Sequence, residues 1–276
     1  MTTFKTSDGL SLYYRDQGTG LPVLCLAGLT RNGDDFQPVV DHFADQVRVI
    51  RLDSRGRGRS DYTDYHSYSI IQESRDAMAL LDHLGLDRAA ILGTSRGGLI
   101  AMSLAVAHPD RLLGVMLNDI GPEIDAQGLA VIMDYLGNRP GYKDFTEAAQ
   151  QLQIKQAKRF PGVTLDQWGQ YARNIWVQAD DGLDLRYDPL LRRAVLEQSA
   201  TGALPDLWPL YTAVTKVPHG LIRGQNSDIL SAETAKKMCQ IAENTVYAEV
   251  PDRGHVPFLN EPQAIAAITE WIGQMQ

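Results

Sequence analysis

The chain has 276 residues, 44% of them hydrophobic, and a formal net charge of −8. This length can bury a large core, and α/β architectures often reach this size as one domain, so we expect one domain with an insert. The acidic balance argues against nucleic acid or an anionic membrane as a partner, because both favour basic surfaces.

The sequence shows no feature of secretion or of a membrane protein. Residues 1–14 lack the basic and apolar regions of a signal peptide, and no apolar run approaches the ~20 residues of a spanning helix. Two cysteines, Cys25 and Cys239, are too few for a disulfide framework, and we expect both as buried thiols. These observations predict a cytoplasmic protein.

Short apolar runs alternate with helical patterns at both ends of the chain. The runs predict strands at Leu10–Asp16, Pro22–Ala27, Val47–Leu52, Ala89–Gly93, Leu112–Leu117, Gly220–Arg223 and Thr245–Val250. Helices are predicted at Ser69–Leu84, Gly97–Ala107, Ala232–Ile241 and Pro262–Ile272. In the first helix, Ile71, Met78, Leu81 and Leu84 predict one buried stripe. The alternation predicts an α/β fold with a mostly parallel sheet.

The alternation stops over residues 122–211, which show helical periodicity and no convincing strand. A connection between neighbouring elements is normally about 4 to 6 residues long, so this segment is predicted to be an inserted helical lid. Residues 1–121 and 212–276 would then form the core domain. The segment is rich in aromatic residues, namely Tyr135, Phe145, Trp168, Tyr171, Trp176, Trp208 and Tyr211. They either form the insert's own small core or, in part, line the pocket of a small-molecule substrate.

Residues 93–97 read G-T-S-R-G and stand between a buried strand and a helix. A serine in so tight a strand-to-helix turn has a strained backbone, and glycines two residues before and after it let neighbouring chain pass without a Cβ clash. Ser95 would therefore project alone above the sheet. This context predicts a nucleophile.

A serine hydroxyl needs a general base, and the base needs an acceptor that fixes its tautomer. Of the six histidines, His255 alone follows a predicted strand in a short loop, held between Pro251 and Pro257. Functional residues of an open α/β sheet cluster at the carboxyl ends of strands, which also favours Asp228 as the acid. The residues therefore predict a set of Ser95, Asp228 and His255.

The order Ser95, Asp228, His255 and the sequences around these residues resemble the α/β-hydrolase fold family. Residues 53–60, D-S-R-G-R-G-R-S, are similar to the family's D-x-R-G-x-G-x-S loop, and residues 254–257, G-H-V-P, match its histidine loop. The resemblance covers nearly the whole chain and implies an eight-stranded sheet with helices on both faces. A serine nucleophile counts against the family's epoxide hydrolases and haloalkane dehalogenases, which use aspartate.

The resemblance also places an oxyanion hole at the backbone N–H groups of Leu29 and Arg96. The chain departs from the pattern at Ala27, where the family usually carries histidine. A second departure is Asp119, since some members take the acid of the triad from the end of the sixth strand. We favour Asp228 over Asp119.

Arginine directly after the nucleophile is unusual in hydrolases of this fold. A guanidinium cannot shed its charge, so Arg96 must meet a carboxylate of the protein or of the substrate. One interpretation is an internal ion pair, with Asp119 as a plausible partner. The other is a contact with an anionic substrate.

The sequence predicts a serine hydrolase of small carboxylic esters or lactones that works through an acyl-enzyme. A carbon–carbon bond hydrolase of diketone or dienoate substrates is an alternative enzyme with the same triad. The alternative from another functional class is a ligand-binding receptor that keeps the triad but turns over its ligand slowly. The sequence carries no metal or nucleotide motif, so we expect no metal and no cofactor.

Overall fold

The computed structural model describes residues 2–200 and 206–276. The first residue of the predicted core and residues 201–205 of the predicted insert lie outside these ranges. The strands are β1 (Thr3–Lys5), β2 (Ser11–Gln17), β3 (Leu21–Leu26), β4 (Val47–Leu52), β5 (Ala89–Thr94), β6 (Leu112–Asn118), β7 (Trp176–Ala179), β8 (Gly182–Leu185), β9 (His219–Gly224) and β10 (Val246–Val250).

Eight of these strands form one sheet in the order β1-β2-β4-β3-β5-β6-β9-β10. Strand β2 pairs antiparallel with β1 and β4, and every later pair in the order is parallel. The predicted eight-stranded, mostly parallel sheet is therefore confirmed. The parallel strands all end at one edge, so the loops that follow β3, β5, β6, β9 and β10 meet there.

The helices are α1 (Gln37–Phe43), α2 (Ile70–His83), α3 (Arg96–Ala107), α4 (Ala126–Tyr135), α5 (Phe145–Lys155), α6 (Leu165–Ile175), α7 (Leu191–Ala200), α8 (Trp208–Val214), α9 (Ala232–Ile241) and α10 (Pro262–Gly273). Side chains on a strand alternate between faces, so neighbouring residues enter different cores. Leu24 belongs to the hydrophobic cluster that includes residues of α2, α3, α8 and α9, whereas Val23 and Cys25 belong to the cluster that includes residues of α1 and α10. Helices thus cover both faces, as predicted.

Helix α2 differs from its predicted stripe. Ile71 is 64% exposed, whereas Met78 and Leu81 are buried as predicted. The buried face also contains the acids Glu73 and Asp76, which pair with arginines of the loop after β4 or with Arg96. Apolar periodicity registers neither these buried ion pairs nor the exposure of Ile71 in the first turn of α2.

The segment from residue 122 to residue 211, called the insert below, contains α4 to α7, the first half of α8 and the antiparallel hairpin β7–β8. The prediction that it lacks strands was wrong. The hairpin has no readable sequence pattern because each of its strands is only four residues long and partly exposed. Trp168 is buried in a small hydrophobic cluster made mostly of insert residues, whereas Tyr211 packs in the main core. Among the described helices, none combines the length and the apolar character needed to cross a membrane.

Two smaller predictions have mixed outcomes. Cys25 is buried, as expected, but Cys239 is only half-buried. The three-residue strand β1 was not predicted, since so short a run has no readable alternation.

Candidate active site

Ser95 stands in the turn between β5 and α3, with φ 50° and ψ −116°. A non-glycine residue in this region of the backbone map costs on the order of 1–3 kcal/mol, so the surrounding structure must enforce it. The flanking glycines allow the turn. A Cβ on Gly93 would lie 2.5 Å from the Gly97 carbonyl oxygen, and a Cβ on Gly97 would overlap the Leu26 carbonyl. The predicted elbow therefore has the expected backbone.

His255, in the loop after β10, connects Ser95 to a buried carboxylate. Its Nε2 lies 2.9 Å from Ser95 Oγ, and its Nδ1 lies 2.8 Å from Asp119 Oδ2. Because an ionised carboxylate only accepts hydrogen bonds, Nδ1 carries a proton that it donates to Asp119. In the neutral ring Nε2 is then free to accept the proton of Ser95. The structure thus brings together the predicted Ser95 and His255.

The structure places Asp119, and not the predicted acid Asp228, beside His255. Asp119 follows β6, is fully buried, and has φ 57°, a left-handed conformation that turns its side chain towards His255. Asp228 instead forms an ion pair with Arg159 of the insert, with Nη2 2.9 Å from Oδ2. The preference for Asp228 over Asp119 as the partner of His255 was therefore wrong.

The reason lies in the loop after β9. Ser227, not Asp228, turns towards Asp119, and its Oγ donates a hydrogen bond of 2.7 Å to Oδ2. Ser227 Oγ also accepts from the N–H groups of Ile229 and Leu230, which fixes the hydroxyl. The sequence analysis placed the acid in the loop after β9, whereas the partner of His255 follows β6 and the loop after β9 supplies Ser227, which hydrogen-bonds to Asp119.

The segment predicted to supply one oxyanion donor lies against the serine. A Cβ built on Gly28, directly before Leu29, would lie 3.7 Å from Ser95 Cβ. The Leu29 carbonyl accepts a hydrogen bond of 2.9 Å from Arg57 Nε. Arg96, the second predicted donor, is the first residue of α3.

The Arg96 side chain forms an internal ion pair. Its Nε and Nη2 lie 2.9 and 2.8 Å from the carboxylate oxygens of Glu73, which is 2% exposed. The predicted partner Asp119 was wrong, because Asp119 is committed to His255 and Ser227. The bidentate pair favours the internal interpretation over the alternative of a contact between Arg96 and a substrate anion. Burial raises the pKa of Glu73, but the guanidinium groups of Arg57 and Arg96 outweigh it and hold that pKa below its usual value.

A cavity of about 390 Å³ adjoins this site. Thr94, Asn118 and Val256 line it, and each is the chain neighbour of Ser95, Asp119 or His255. Tyr171, one of the insert's aromatic residues, forms part of its wall and stacks on the guanidinium of Arg31 at 4.2 Å. Within the described ranges, no group of three or more His, Cys, Asp or Glu side chains is arranged to hold a metal ion.

Known proteins resemble this chain over nearly its whole length. The family model of the alpha/beta hydrolase fold matches residues 22–262. A 3-hydroxybutyrate-oligomer hydrolase of Cupriavidus necator is 35% identical over 253 residues, which are 88% of this chain and 85% of that protein. A 2-(acetamidomethylene)succinate hydrolase of Mesorhizobium japonicum is 28% identical over 95% of this chain and 92% of its own length. A crystal structure of an α/β hydrolase from Novosphingobium aromaticivorans superimposes with a TM-score of 0.91 at 38% identity, covering 99% of this chain and 97% of that one.

Proposed function

This chain belongs to the α/β-hydrolase fold family, and we propose that it hydrolyses a small carboxylic ester or lactone through an acyl-enzyme. One observation carries the proposal. Ser95, His255 and Asp119 form a continuous hydrogen-bonded series with distances of 2.9 and 2.8 Å, on a serine with a strained backbone. This arrangement of nucleophile, base and acid is the one that activates a hydroxyl for attack on a carbonyl carbon.

In the proposed mechanism, His255 Nε2 takes the proton of Ser95 as Oγ attacks the carbonyl carbon. The backbone N–H groups of Leu29 and Arg96 stabilise the oxyanion of the tetrahedral intermediate, and Asp119 stabilises the imidazolium. The intermediate collapses, and His255 gives its proton to the leaving alkoxide. Water then attacks the acyl-enzyme with His255 again as base, which releases the carboxylic acid and restores Ser95.

We propose short oligomeric esters of hydroxy acids as the first substrates to test. The similarity to the 3-hydroxybutyrate-oligomer hydrolase, 35% identity over most of both chains, supports this choice. Residues 1–121 and 212–276 would act as the catalytic core and residues 122–211 as the lid. Two backbone hydrogen bonds that join Gly58 to Arg186 and Asp188 to Gly56 support a lid seated on the core.

Labelling with a fluorophosphonate probe tests the nucleophile. We expect one adduct on Ser95, located by peptide mass spectrometry, and no adduct in Ser95→Ala. Ser103→Ala is the matched control, because Ser103 lies in α3 outside the proposed machinery. Full labelling or full esterase activity of Ser95→Ala would reject the assignment.

A substrate panel tests the bond that is cleaved. It contains p-nitrophenyl esters, dimers and trimers of 3-hydroxybutyrate, lactones and vinylogous diketones. We expect Ser95-dependent turnover of esters or lactones. Turnover of the diketones alone would indicate a carbon–carbon bond hydrolase, and tight binding with negligible kcat would indicate a receptor.

A further inference from the structure

The carboxylate of Glu73 joins two arginines in the interior of the protein. Besides its bidentate pair with Arg96, its Oε1 accepts a hydrogen bond of 3.0 Å from Arg57 Nη1. Arg57 is 1% exposed and belongs to the loop after β4. Its Nη1 also donates to the Arg55 carbonyl at 2.7 Å, which fixes the guanidinium within its own loop.

The two arginines lead to the two residues of the proposed oxyanion hole. Arg57 Nε holds the carbonyl of Leu29, so the guanidinium connects Glu73 to the loop after β3. Arg96 is itself the second donor residue, and its side chain ends on the same carboxylate. Leu29 and Arg96 are distant in sequence, yet Glu73 reaches one directly and the other through a single side chain.

We propose that Glu73 is a positioning residue that sets the spacing of the two oxyanion-hole N–H groups through Arg57 and Arg96. The inference rests on the proposed function, in which Leu29 and Arg96 supply those groups. A donor displaced by about 1 Å can cost on the order of 100-fold in rate, so a rigid link between both donors has a catalytic consequence.

Stability alone explains this cluster poorly. Buried ion pairs often contribute no more to stability than well-packed apolar side chains of similar volume. Arg57 Nη2 is buried without a hydrogen-bond partner among the described residues, which adds a desolvation cost. A role in positioning accounts for polar groups held at such a cost.

Because the cluster is charged, one substitution can distinguish an effect of charge on the oxyanion from an effect of donor position. Two guanidinium groups share one carboxylate, so Glu73→Gln leaves more positive charge near the oxyanion. If charge alone mattered, this variant would stabilise the oxyanion and raise kcat. If position matters, kcat falls because the Gln amide cannot hold both guanidinium groups as a carboxylate does.

The test compares Glu73→Gln with Asp76→Asn, a matched control on the same helix. Asp76 is equally buried and pairs at 2.6 Å with the Arg55 side chain, whereas Arg57 is held by the Arg55 backbone carbonyl, which Asp76→Asn leaves in place. Measurements are kcat, KM, the thermal midpoint and the inhibition constant of a trifluoromethyl ketone, which forms an oxyanion on Ser95. We expect Glu73→Gln to lower kcat by about 10- to 100-fold with KM within about threefold, and to weaken the inhibitor in proportion. Asp76→Asn should keep kcat within about threefold of the unmodified protein, even if its thermal midpoint drops as much as that of Glu73→Gln.

Arg57→Lys is a second variant, which applies if Glu73→Gln does not fold. Lysine keeps the charge but cannot hold Glu73 and the Leu29 carbonyl with one planar group, so kcat should fall again. Equal kcat in the Glu73 and Asp76 variants, or a raised kcat in Glu73→Gln, would overturn the inference. Activity that persists in Ser95→Ala would instead reject the proposed function, so the two failures are distinguishable.

Discussion

Ser227 Oγ lies 2.7 Å from Asp119 Oδ2, the same oxygen that lies 2.8 Å from His255 Nδ1. The other oxygen, Oδ1, accepts the N–H of Gly224 at 2.8 Å. Both oxygens of the carboxylate are therefore held by the end of β9 and the loop after it. This fixes the plane of the carboxylate and, through it, the orientation of the His255 ring.

Ser227→Ala should lower kcat by roughly tenfold with little change in KM, since one hydrogen bond to a charged group, worth about 1.5 kcal/mol at the low end, is lost from a site that otherwise persists. Steady-state kinetics on an ester measures this. Ser231→Ala is the control, because Ser231 caps α9 in the same region and its loss should affect thermal stability without affecting kcat. An unchanged kcat in Ser227→Ala would show that Gly224 alone holds Asp119.

Asp119→Asn should reduce kcat by about 10⁴-fold, because an amide can present its N–H to His255 and favour the wrong tautomer. Asp228→Asn removes only the ion pair with Arg159 at the boundary of the insert, and we expect less than a tenfold change. Both variants are compared at saturating ester. The reverse ranking would contradict the site as the structure shows it.

Arg96→Met should slow the hydrolysis of anionic and neutral esters by the same factor and lower the thermal midpoint. The guanidinium is committed to Glu73, so its loss leaves a buried carboxylate with one partner fewer. Matched esters with and without a terminal carboxylate, assayed beside a melting curve, measure both effects. A rise in KM confined to the anionic ester would restore the direct contact with substrate.

Stability should depend on pH through His219, at the start of β9. It is 1% exposed, and burial lowers its pKa below 6.5. In the unfolded chain the ring takes up a proton as pH falls below about 6.5, while the folded protein resists it. Stability from this group is therefore complete above pH 6.5 and falls towards pH 5, by at most about 1.4 kcal/mol per pH unit. As pH falls from 7 to 5, the thermal midpoint of His219→Gln should fall less steeply than that of the unmodified protein. Parallel curves for the two proteins would contradict the role of His219.

The contact between Ser95 and His255, the proposed nucleophile and base, could be predicted because the signals of both residues are local. Ser95 has glycines on both sides and a strand-to-helix context, and His255 sits in a short loop bounded by prolines. Each signal describes a backbone that a few neighbouring residues impose. The apolar runs predicted most strands of the sheet for the same reason.

The carboxylate that contacts His255 and the partner of Arg96 could not be predicted, since they depend on how distant segments meet. Asp119 and Asp228 both follow strands, and only the course of the loop after β9 decides which of them faces His255. Glu73 lies in a helix 23 residues before Arg96, where a charged residue reads as solvent-exposed. The sequence at the end of β6 carries a weak signal for Asp119 as a site residue. Asn118 and Asp119 form a polar pair at the end of this strand, as Thr94 and Ser95 do at the end of β5.

The hydrogen bonds from Gly58 N–H to the Arg186 carbonyl and from Asp188 N–H to the Gly56 carbonyl have a consequence for engineering. They fasten the part of the insert between β8 and α7 to the loop that carries Arg57, and Arg57 in turn holds Leu29. The insert is therefore not an exchangeable cap. A chimera cut inside residues 186–188 removes a support of the loop beside Ser95. An exchange confined to α4, α5 and α6 leaves those two hydrogen bonds intact but replaces Tyr171 and the other α6 residues that line the cavity.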